Sequence, residues 1–377
     1  MPFPTIVGQD RVCRLLDAYV RQEGIPSLIF VGPAGVGKRT VALELARLVN
    51  CTGDEPRPCG RCNSCRTISR LRHPDIKLVF PIGPLGRRSQ GEDEGDKSDA
   101  VAATLDRYPE FELGQAQPAL DSKYLIRRPM IVWLREDMAR PPHAARRRFF
   151  IILHAHRMND EAANALLKIL EEPHEKTTFV LTTDSPNQLL STIRSRCQSL
   201  RFSALGTTDV FTLLTERFGV DRAKAEPAAA FGQGSAGRAL RFARRESDVL
   251  VPAAVAYFAD SAGTDREILN AIGELDRTPQ WLLTDTFLFL FRETLRAKLE
   301  LDSAYARLNP AVAERAARSD LNYLRRALQY ILKRDQDSAL YTNPRLSSFS
   351  LLSALRPPQT KPARPARSHR PPTRQTK

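Results

Sequence analysis

Residues 27–38 read Ser-Leu-Ile-Phe-Val-Gly-Pro-Ala-Gly-Val-Gly-Lys, a short apolar run that leads directly into a glycine-rich loop. A helical pattern follows from Arg39 to about Asn50. In a strand–loop–helix unit of this kind, loop N–H groups surround phosphate oxygens, the lysine adds positive charge and the helix N-terminus points at the site. The pattern predicts an α/β domain with a nucleotide-binding loop, and the alternative is a glycine-rich turn without a ligand. The candidate nucleotide-binding residues of the loop are Gly32, Gly35, Gly37 and Lys38.

The position after Lys38 departs from the usual form of such a loop. A serine or threonine hydroxyl normally stands there and holds Mg²⁺. This chain has Arg39 instead, with Thr40 one step later on another face of the helix. A cation at the position of a cation ligand argues against ordinary metal-assisted hydrolysis. Arg39 and Thr40 nevertheless remain candidate nucleotide-binding residues by position.

The strand predicted at residues 149–153 ends in His154-Ala155-His156-Arg157. A nucleotide-hydrolysing site needs two acids at such a strand end, one to hold Mg²⁺ and one to position the attacking water. Neither histidine can take these roles. A metal site is the other interpretation of His154 and His156. Residues two apart at a strand end usually diverge, and no third ligand is evident, so we interpret them as loop histidines.

Four cysteines lie within fifteen residues, with the spacing Cys51-x7-Cys59-x2-Cys62-x2-Cys65. Four thiolates are the number that a tetrahedral structural Zn²⁺ needs, and they leave no position open for water. Gly60 permits the tight turn between Cys59 and Cys62. The sequence therefore predicts a structural zinc site, and the alternative is four free thiols.

The charge of the chain is unevenly distributed. Its 377 residues carry a net charge of +14, which favours an anionic partner such as nucleic acid. Half of this excess lies at residues 356–377, which hold seven lysines and arginines, six prolines and no acid. We interpret this tail as disordered and solvated rather than as a nucleic-acid-binding arm. No run of eighteen apolar residues and no signal peptide are evident, so we expect a cytoplasmic protein without a membrane span.

The domain organisation follows from changes in the strand and helix patterns. Strands are predicted at residues 27–31, 76–80, 149–153 and 178–183, and the pattern is helical after Phe202. The predicted segments are an α/β domain at 1–203 with a zinc module at 51–65 and a flexible insertion at 83–121, a small helical domain at 204–247, an all-α domain at 248–355, and the tail at 356–377.

Several motifs together resemble those of bacterial clamp-loader subunits, which are AAA+ proteins. They are the loop at 32–38, the four cysteines with His73-Pro74-Asp75, Asn164-Ala165-Leu166-Leu167-Lys168-Ile169-Leu170-Glu171-Glu172-Pro173, and Thr192-Ile193-Arg194-Ser195-Arg196-Cys197. The resemblance spans about residues 7–241, and its last two motifs are highly specific. It implies an α/β P-loop AAA+ domain with a zinc-binding insertion, then a small helical lid domain and an all-α C-terminal collar domain. Some family members keep an Asp-Glu pair after the strand, and this chain resembles those that lack it.

The resemblance also implies roles for single residues. Arg196 would be an arginine finger that reaches in trans into the ATP site of an adjacent gamma/tau subunit, whereas spacing alone suggests a solvent-facing arginine. Thr182 or Thr183 falls where sensor 1 would lie, and residues 234–238 resemble sensor 2 and include Arg238. The implied ligands are a structural Zn²⁺ and ATP or ADP bound without hydrolysis. The implied partners are gamma/tau and delta subunits in a hetero-pentameric ring, together with the sliding clamp and primer-template DNA.

Two other functions remain open from the sequence. An active clamp-loader ATPase motor would need Asp160 or Glu161 to replace the missing acids, although both lie beyond the strand end at the start of a helix. A zinc-containing nucleic-acid-binding protein would need no nucleotide, and its affinity for DNA would fall steeply with salt.

Overall fold

The computed structural model describes residues 3, 5–22, 24–54, 56–83, 124–172, 174–243, 254, 266, 280–301, 303–336 and 350–355. The insertion predicted at 83–121, apart from its first residue, lies outside the described residues. The predicted boundary between residues 247 and 248 and the tail at 356–377 lie outside them as well.

Five parallel strands form a single sheet in the N-terminal half, in the order β2-β3-β4-β1-β5. The strands are β1 (Leu28–Val31), β2 (Ile76–Val79), β3 (Arg148–Ile152), β4 (Thr177–Thr183) and β5 (Gln198–Arg201). Their pairing places Val31 of β1 opposite Thr183 of β4. The carboxyl ends of β1, β3 and β4 therefore meet at one edge, where open parallel sheets usually bind ligands.

Both faces of this sheet are covered by helices. The elements are α1 (Asp10–Arg21), α2 (Lys38–Asn50), α3 (Asn63–Ser69), α4 (Arg128–Met138), α5 (Asp160–Glu171) and α6 (Ser191–Arg196). Because side chains alternate along a strand, Phe149 and Ile151 of β3 pack with α1–α3, whereas Phe150 and Ile152 pack with α4–α6. The result is a three-layer α/β/α domain, which confirms the predicted α/β class and four of the five strands, while β5 was not predicted.

Two helix boundaries differ from the sequence-based prediction for identifiable reasons. Residues 7–23 have an amphipathic helical pattern that predicts a helix, but the helix begins only at Asp10, because Gly8 has a φ of 72°. Residues 125–138 also have a pattern that predicts a helix, which begins at Arg128. Leu125 and Ile126 instead form isolated bridges to Ile82 and Met158, which extend the hydrogen bonding beside the sheet.

The C-terminal half is helical among its described residues. Its elements are α7 (Thr207–Thr212), which continues as a π-helical turn (Leu213–Arg217), α8 (Arg222–Gly232), α9 (Ala236–Ala243), α10 (Gln280–Lys298), α11 (Ala304–Leu308), α12 (Pro310–Arg318) and α13 (Leu321–Gln336). One hydrophobic cluster runs through all of them. Within it, Phe289 packs edge-on against both Phe231 and Tyr305, with ring centroids 4.9 and 4.7 Å away. The helices on the two sides of the predicted lid–collar boundary thus share a core.

Within the described part of the chain, every helix is too short or too polar to cross a lipid bilayer.

Candidate functional site

The glycine-rich loop lies between β1 and α2, as the sequence predicts. Gly37 has a φ of 100° and stands directly before the first residue of α2. Gly35, with a φ of 75°, lies against α9, and a Cβ at this position would collide with Oγ of Ser235. The backbone N–H of Gly237 donates a hydrogen bond of 3.1 Å to the Gly35 carbonyl. The loop is therefore attached directly to the helical half of the protein.

Lys38 places a cation at the mouth of this loop. Its Nζ donates hydrogen bonds to the carbonyls of Gly32 and Pro33, at 2.6 and 2.7 Å. Burial lowers the pKa of Lys38 to about 8, although the nearby charge of Asp184 acts in the opposite direction. A partly buried ammonium of this kind is stabilised by any anion that enters the loop.

A cavity of about 430 Å³ opens over the loop at the carboxyl edge of the sheet. Its size lies within the range typical of small-molecule sites. The walls come from the N-terminal segment, the loop, the ends of β3 and β4, the π-helical turn and α9. Its polar and charged lining residues are Thr5, Lys38, Arg39, Thr40, His154, His156, Arg157, Thr182, Asp184, Arg217 and Arg241.

Three of the candidate nucleotide-binding residues, Gly32, Thr183 and Arg238, lie outside the wall of the cavity. Thr182 lines it, whereas the Thr183 hydroxyl accepts a hydrogen bond from the Ser185 N–H at 3.0 Å. Arg238 lies with its Nε 3.6 Å from a carboxylate oxygen of Asp285 on α10.

Sequence reasoning missed Arg241, one helical turn after Arg238, which does line the cavity. Burial lowers the pKa of Arg241, and Asp285 opposes this shift. The three-residue spacing from Arg238 was the available signal, since it places both arginines on one side of α9.

The end of β3 brings two histidines together. His154 has a φ of 52°, and a short 3₁₀ turn (Ala155–Arg157) follows it. The expectation that the side chains diverge is wrong, because this turn leaves the two rings edge to face with centroids 5.8 Å apart. Nε2 of His156 lies 3.4 Å from Oδ1 of Asp184, which follows β4. The sequence reasoning found no third ligand because Asp184 comes from a different strand.

The environment of these histidines keeps both rings neutral at pH 7. Burial lowers the pKa of His154 to about 4, with smaller contributions from the surrounding charges. Burial also lowers the pKa of His156, against the effect of Asp184. Nδ1 of His156 lies 3.1 Å from the Thr183 hydroxyl, which fixes the orientation of its ring. Asp184 is the single carboxylate among the described residues that line the cavity.

Arg196 lies away from this cavity, on the outer surface. It is the last residue of α6, and its side chain is 35% exposed. One guanidinium nitrogen donates to Oε1 of Glu171 at 2.7 Å, and another donates to the Thr192 carbonyl at 3.1 Å. The sequence predicted an arginine that reaches outward, and the guanidinium is in fact folded back onto the α5–α6 surface.

A model of the family described as "DNA polymerase III, delta subunit" matches residues 8–206, slightly more than half of the chain. The chain belongs to this DNA polymerase III delta subunit family. The matched segment runs from just before α1 to the start of α7, so it contains the entire sheet, the loop, the four cysteines and α6.

Similar proteins include more than one type of DNA polymerase III subunit. DNA polymerase III subunit delta' of Bacillus subtilis (strain 168) is 31% identical over 198 residues, which are 52% of this chain and 48% of that protein. Subunit delta' of Haemophilus influenzae (strain KW20) is 26% identical over 285 residues, 74% of this chain and 73% of that protein. Subunit tau of Escherichia coli (strain K12) is 30% identical over 210 residues, 55% of this chain and 26% of that protein. The chain spans about half the length of the first relative and about a quarter of the third.

In this delta-family chain the four cysteines form one cluster between α2 and α3. Their Sγ atoms all lie within 4.8 Å of one another. The Sγ atoms of Cys51 and Cys62 are 4.0 Å apart, close to the edge of about 3.8 Å that a tetrahedron with Zn–S bonds of about 2.3 Å requires. The cluster is therefore compact enough to bind one metal ion, and all four thiols are free of disulfides.

Backbone N–H groups also point at the sulfurs of this cluster. The N–H of Cys59 donates to Cys51 Sγ at 3.3 Å, and the N–H of Cys65 donates to Cys62 Sγ at 3.4 Å. Burial opposes ionisation of Cys62, but hydrogen bonds from the backbone of Cys65 and Thr52 lower the pKa of its thiol to about 5. A thiolate is the form that binds metal, so the local backbone prepares this sulfur as a ligand.

Proposed function

We propose that the chain is a clamp-loader subunit of the delta' kind, an AAA+ ring member that does not hydrolyse ATP and supplies Arg196 to the ATP site of a neighbouring gamma/tau subunit. The ring, with gamma/tau and delta subunits, would place the sliding clamp on primed DNA. One juxtaposition carries the proposal. His154 and His156 stand in the cavity where acids are needed, while Arg196 lies exposed on α6.

The cavity supports binding without hydrolysis. Lys38 and the loop N–H groups remain available for phosphate, so ATP or ADP would bind there. Hydrolysis needs a carboxylate for Mg²⁺ and another for water. Among the described residues that line the cavity, Asp184 is the single carboxylate, and Asp160 and Glu161 are exposed at the start of α5 outside this lining. This placement disfavours the alternative in which those two acids replace the missing pair.

The position of Arg196 supports action on a second molecule. Its contact with Glu171 joins two partly exposed side chains, 35% and 51% accessible. Exposed ion pairs of this kind contribute about 0–1 kcal/mol, so releasing the guanidinium costs little. An arginine finger that neutralises charge on a transferring phosphoryl group contributes ~10³–10⁵ in rate. The gain at a neighbouring site therefore far exceeds the cost of breaking the Glu171 contact.

The cysteine cluster belongs to the same proposal as a structural site for Zn²⁺. Cys51, Cys59, Cys62 and Cys65 would supply all four ligands, which leaves the metal no position for water or substrate. The metal would tie the end of α2 to the start of α3. Its role would be to hold the domain together rather than to take part in chemistry.

The test uses the full chain reconstituted with gamma/tau and delta subunits. Arg196→Ala should lower the ATPase rate stimulated by clamp and primed DNA about tenfold or more, since a finger is worth ~10³–10⁵ at the site it serves. The mass of the complex should stay unchanged. Arg194→Ala, an exposed arginine on the same helix, is the matched control and should leave the rate as in the wild type.

Two results would replace this proposal. The similarity to a tau subunit leaves the function of an ATPase motor as an alternative. Steady ATP hydrolysis by the chain alone, abolished by Lys38→Ala, would assign that role. Failure to join the complex, together with salt-dependent DNA binding that a chelator destroys, would instead assign a zinc-containing nucleic-acid-binding protein.

A further inference from the structure

Three potential metal ligands converge at the carboxyl edge of the sheet. His154 and His156 come from the turn after β3, and Asp184 follows β4. One ligand atom from each lies within 4.8 Å of the other two. Since the residues belong to two neighbouring strands, the rigid sheet sets their separation. The cluster is separate from the cysteine cluster and plays no part in the action proposed for Arg196.

The geometry fits a tetrahedral ion. Bonds of about 2.0–2.2 Å from Zn²⁺ to nitrogen and oxygen give ligand–ligand edges of about 3.3–3.5 Å. The observed distance from His156 Nε2 to Asp184 Oδ1 is 3.4 Å. A movement of the His154 side chain on the order of 1 Å would bring its ring nitrogen to the same distance from the other two ligand atoms.

Neighbouring hydroxyl groups orient two of the three ligands. The Thr183 hydroxyl lies 3.1 Å from Nδ1 of His156 and leaves Nε2 directed at Asp184. The Ser185 hydroxyl donates to Oδ1 of Asp184 at 3.0 Å. Hydrogen bonds to the residues that bind a metal are a regular part of metal sites in proteins.

The ligand set selects the type of ion. Mg²⁺ and Ca²⁺ prefer several oxygen ligands, and this cluster supplies one carboxylate. Two imidazoles and one carboxylate suit Zn²⁺ and neighbouring divalent transition metals. Lys38 and Arg157 also line the cavity and oppose additional positive charge, which weakens the binding of a hard, mainly electrostatic ion.

We propose that His154, His156 and Asp184 bind one divalent transition-metal ion of the Zn²⁺ type, with a fourth position open to the cavity and filled by water. The site gives a role to two histidines at a strand end that lacks acids. It is a second metal site, distinct in ligands and in openness from the four-cysteine cluster.

The test uses the purified full chain with one equivalent of zinc already in the cysteine cluster, and Co²⁺ as the probe. Equilibrium dialysis and visible d–d absorption should show one further equivalent of Co²⁺ per chain, without the strong sulfur-to-cobalt charge-transfer band. Both His156→Ala and Asp184→Asn should weaken this binding about tenfold or more, since even outer-shell changes cost about 10–100-fold.

Controls separate ligand loss from unfolding. His174→Ala removes an exposed histidine before β4 and should bind Co²⁺ as the wild type does. Zinc content and melting temperature should stay unchanged in Asp184→Asn, whose side chain is 32% exposed. Wild-type chain that takes up no second equivalent would overturn the proposal, and so would equal Co²⁺ affinity in wild type, His156→Ala and Asp184→Asn. Because the isolated chain is measured, the result does not depend on the clamp-loader role.

Discussion

The cavity over the loop and the surface of α6 belong to one α/β domain, but they differ in what they retain. The cavity keeps Lys38 and the glycine-rich loop, and it has histidines where acids are needed. The α6 surface keeps an exposed arginine with a weak local partner, Glu171. Under the proposed function, binding a phosphate and promoting its transfer would therefore be separate properties. They can lie in two places on one subunit.

The largest effect is expected from removing metal from the four-cysteine cluster. Cys51 directly follows α2, whose first residue is Lys38, so loss of the cluster loosens the helix that supports the loop. Structural zinc sites bind with about 10–16 kcal/mol in peptides, much of it folding free energy. Chelation should lower the melting temperature by ~10 °C or more, at about 2–4 °C per kcal/mol. Circular dichroism melts measure this.

The control for chelation is Cys62→Ser, which already lacks one ligand. Its melting temperature should be low from the start, and the chelator should change it no further. A wild-type chain that melts at the same temperature with and without bound metal would contradict a structural role for the cluster.

Lys38→Ala tests the cavity side of the comparison. A charge-assisted hydrogen bond contributes about 1.5–3 kcal/mol, so the affinity of the isolated chain for ATP or ADP should fall ~10–100-fold. The ATPase rate of the reconstituted loader should stay within about twofold of wild type, because Arg196 is intact. Fluorescent-nucleotide titration and steady-state ATPase assays give the two readouts. Lys168→Ala, an exposed lysine on α5, is the control for nucleotide affinity.

Gly35→Ala tests the contact between the loop and α9. The new Cβ would have to displace Ser235, and the φ of 75° is unfavourable for alanine, so we expect a loss of about 1–3 kcal/mol in the free energy of unfolding. Gly219→Ala is a matched control, since its φ of 64° carries the backbone cost and its Cβ would meet nothing within 4 Å. Denaturant titration of both variants gives their free energies of unfolding, and the difference between the two losses is the steric cost at Gly35. Equal losses would mean that the loop–α9 contact tolerates a side chain.

The smallest effect is expected at Glu171. Glu171→Ala removes the carboxylate that holds Arg196, and an exposed pair of this kind is worth about 0–1 kcal/mol. The ATPase rate of the loader should rise by at most ~5-fold, the factor that corresponds to that free energy. Glu172→Ala, the adjacent exposed acid, should leave the rate unchanged. A large fall with Glu171→Ala would show that Glu171 itself takes part at the neighbouring site.

The fold was predictable because its signals are local. Apolar runs such as residues 149–153 fix the four predicted strands within a residue, and loop and cysteine spacings are local as well, whereas two helices begin three residues later than predicted. The convergence of Asp184 with His156 was not predictable, since it depends on the pairing of β3 with β4. The position of Arg241 also depends on tertiary structure, because it is set by how α9 packs over the loop.

The hydrogen bond from Gly237 to the Gly35 carbonyl has a thermodynamic consequence. Because of this hydrogen bond, a change in the conformation of the glycine-rich loop is coupled to a change in the position of α9. If displacing α9 lowers the affinity of the loop for an anion by some factor, the bound anion must resist that displacement by the same factor. If the subunit has no turnover of its own, as proposed, a ligand in its cavity would thus still change how readily its helical half moves.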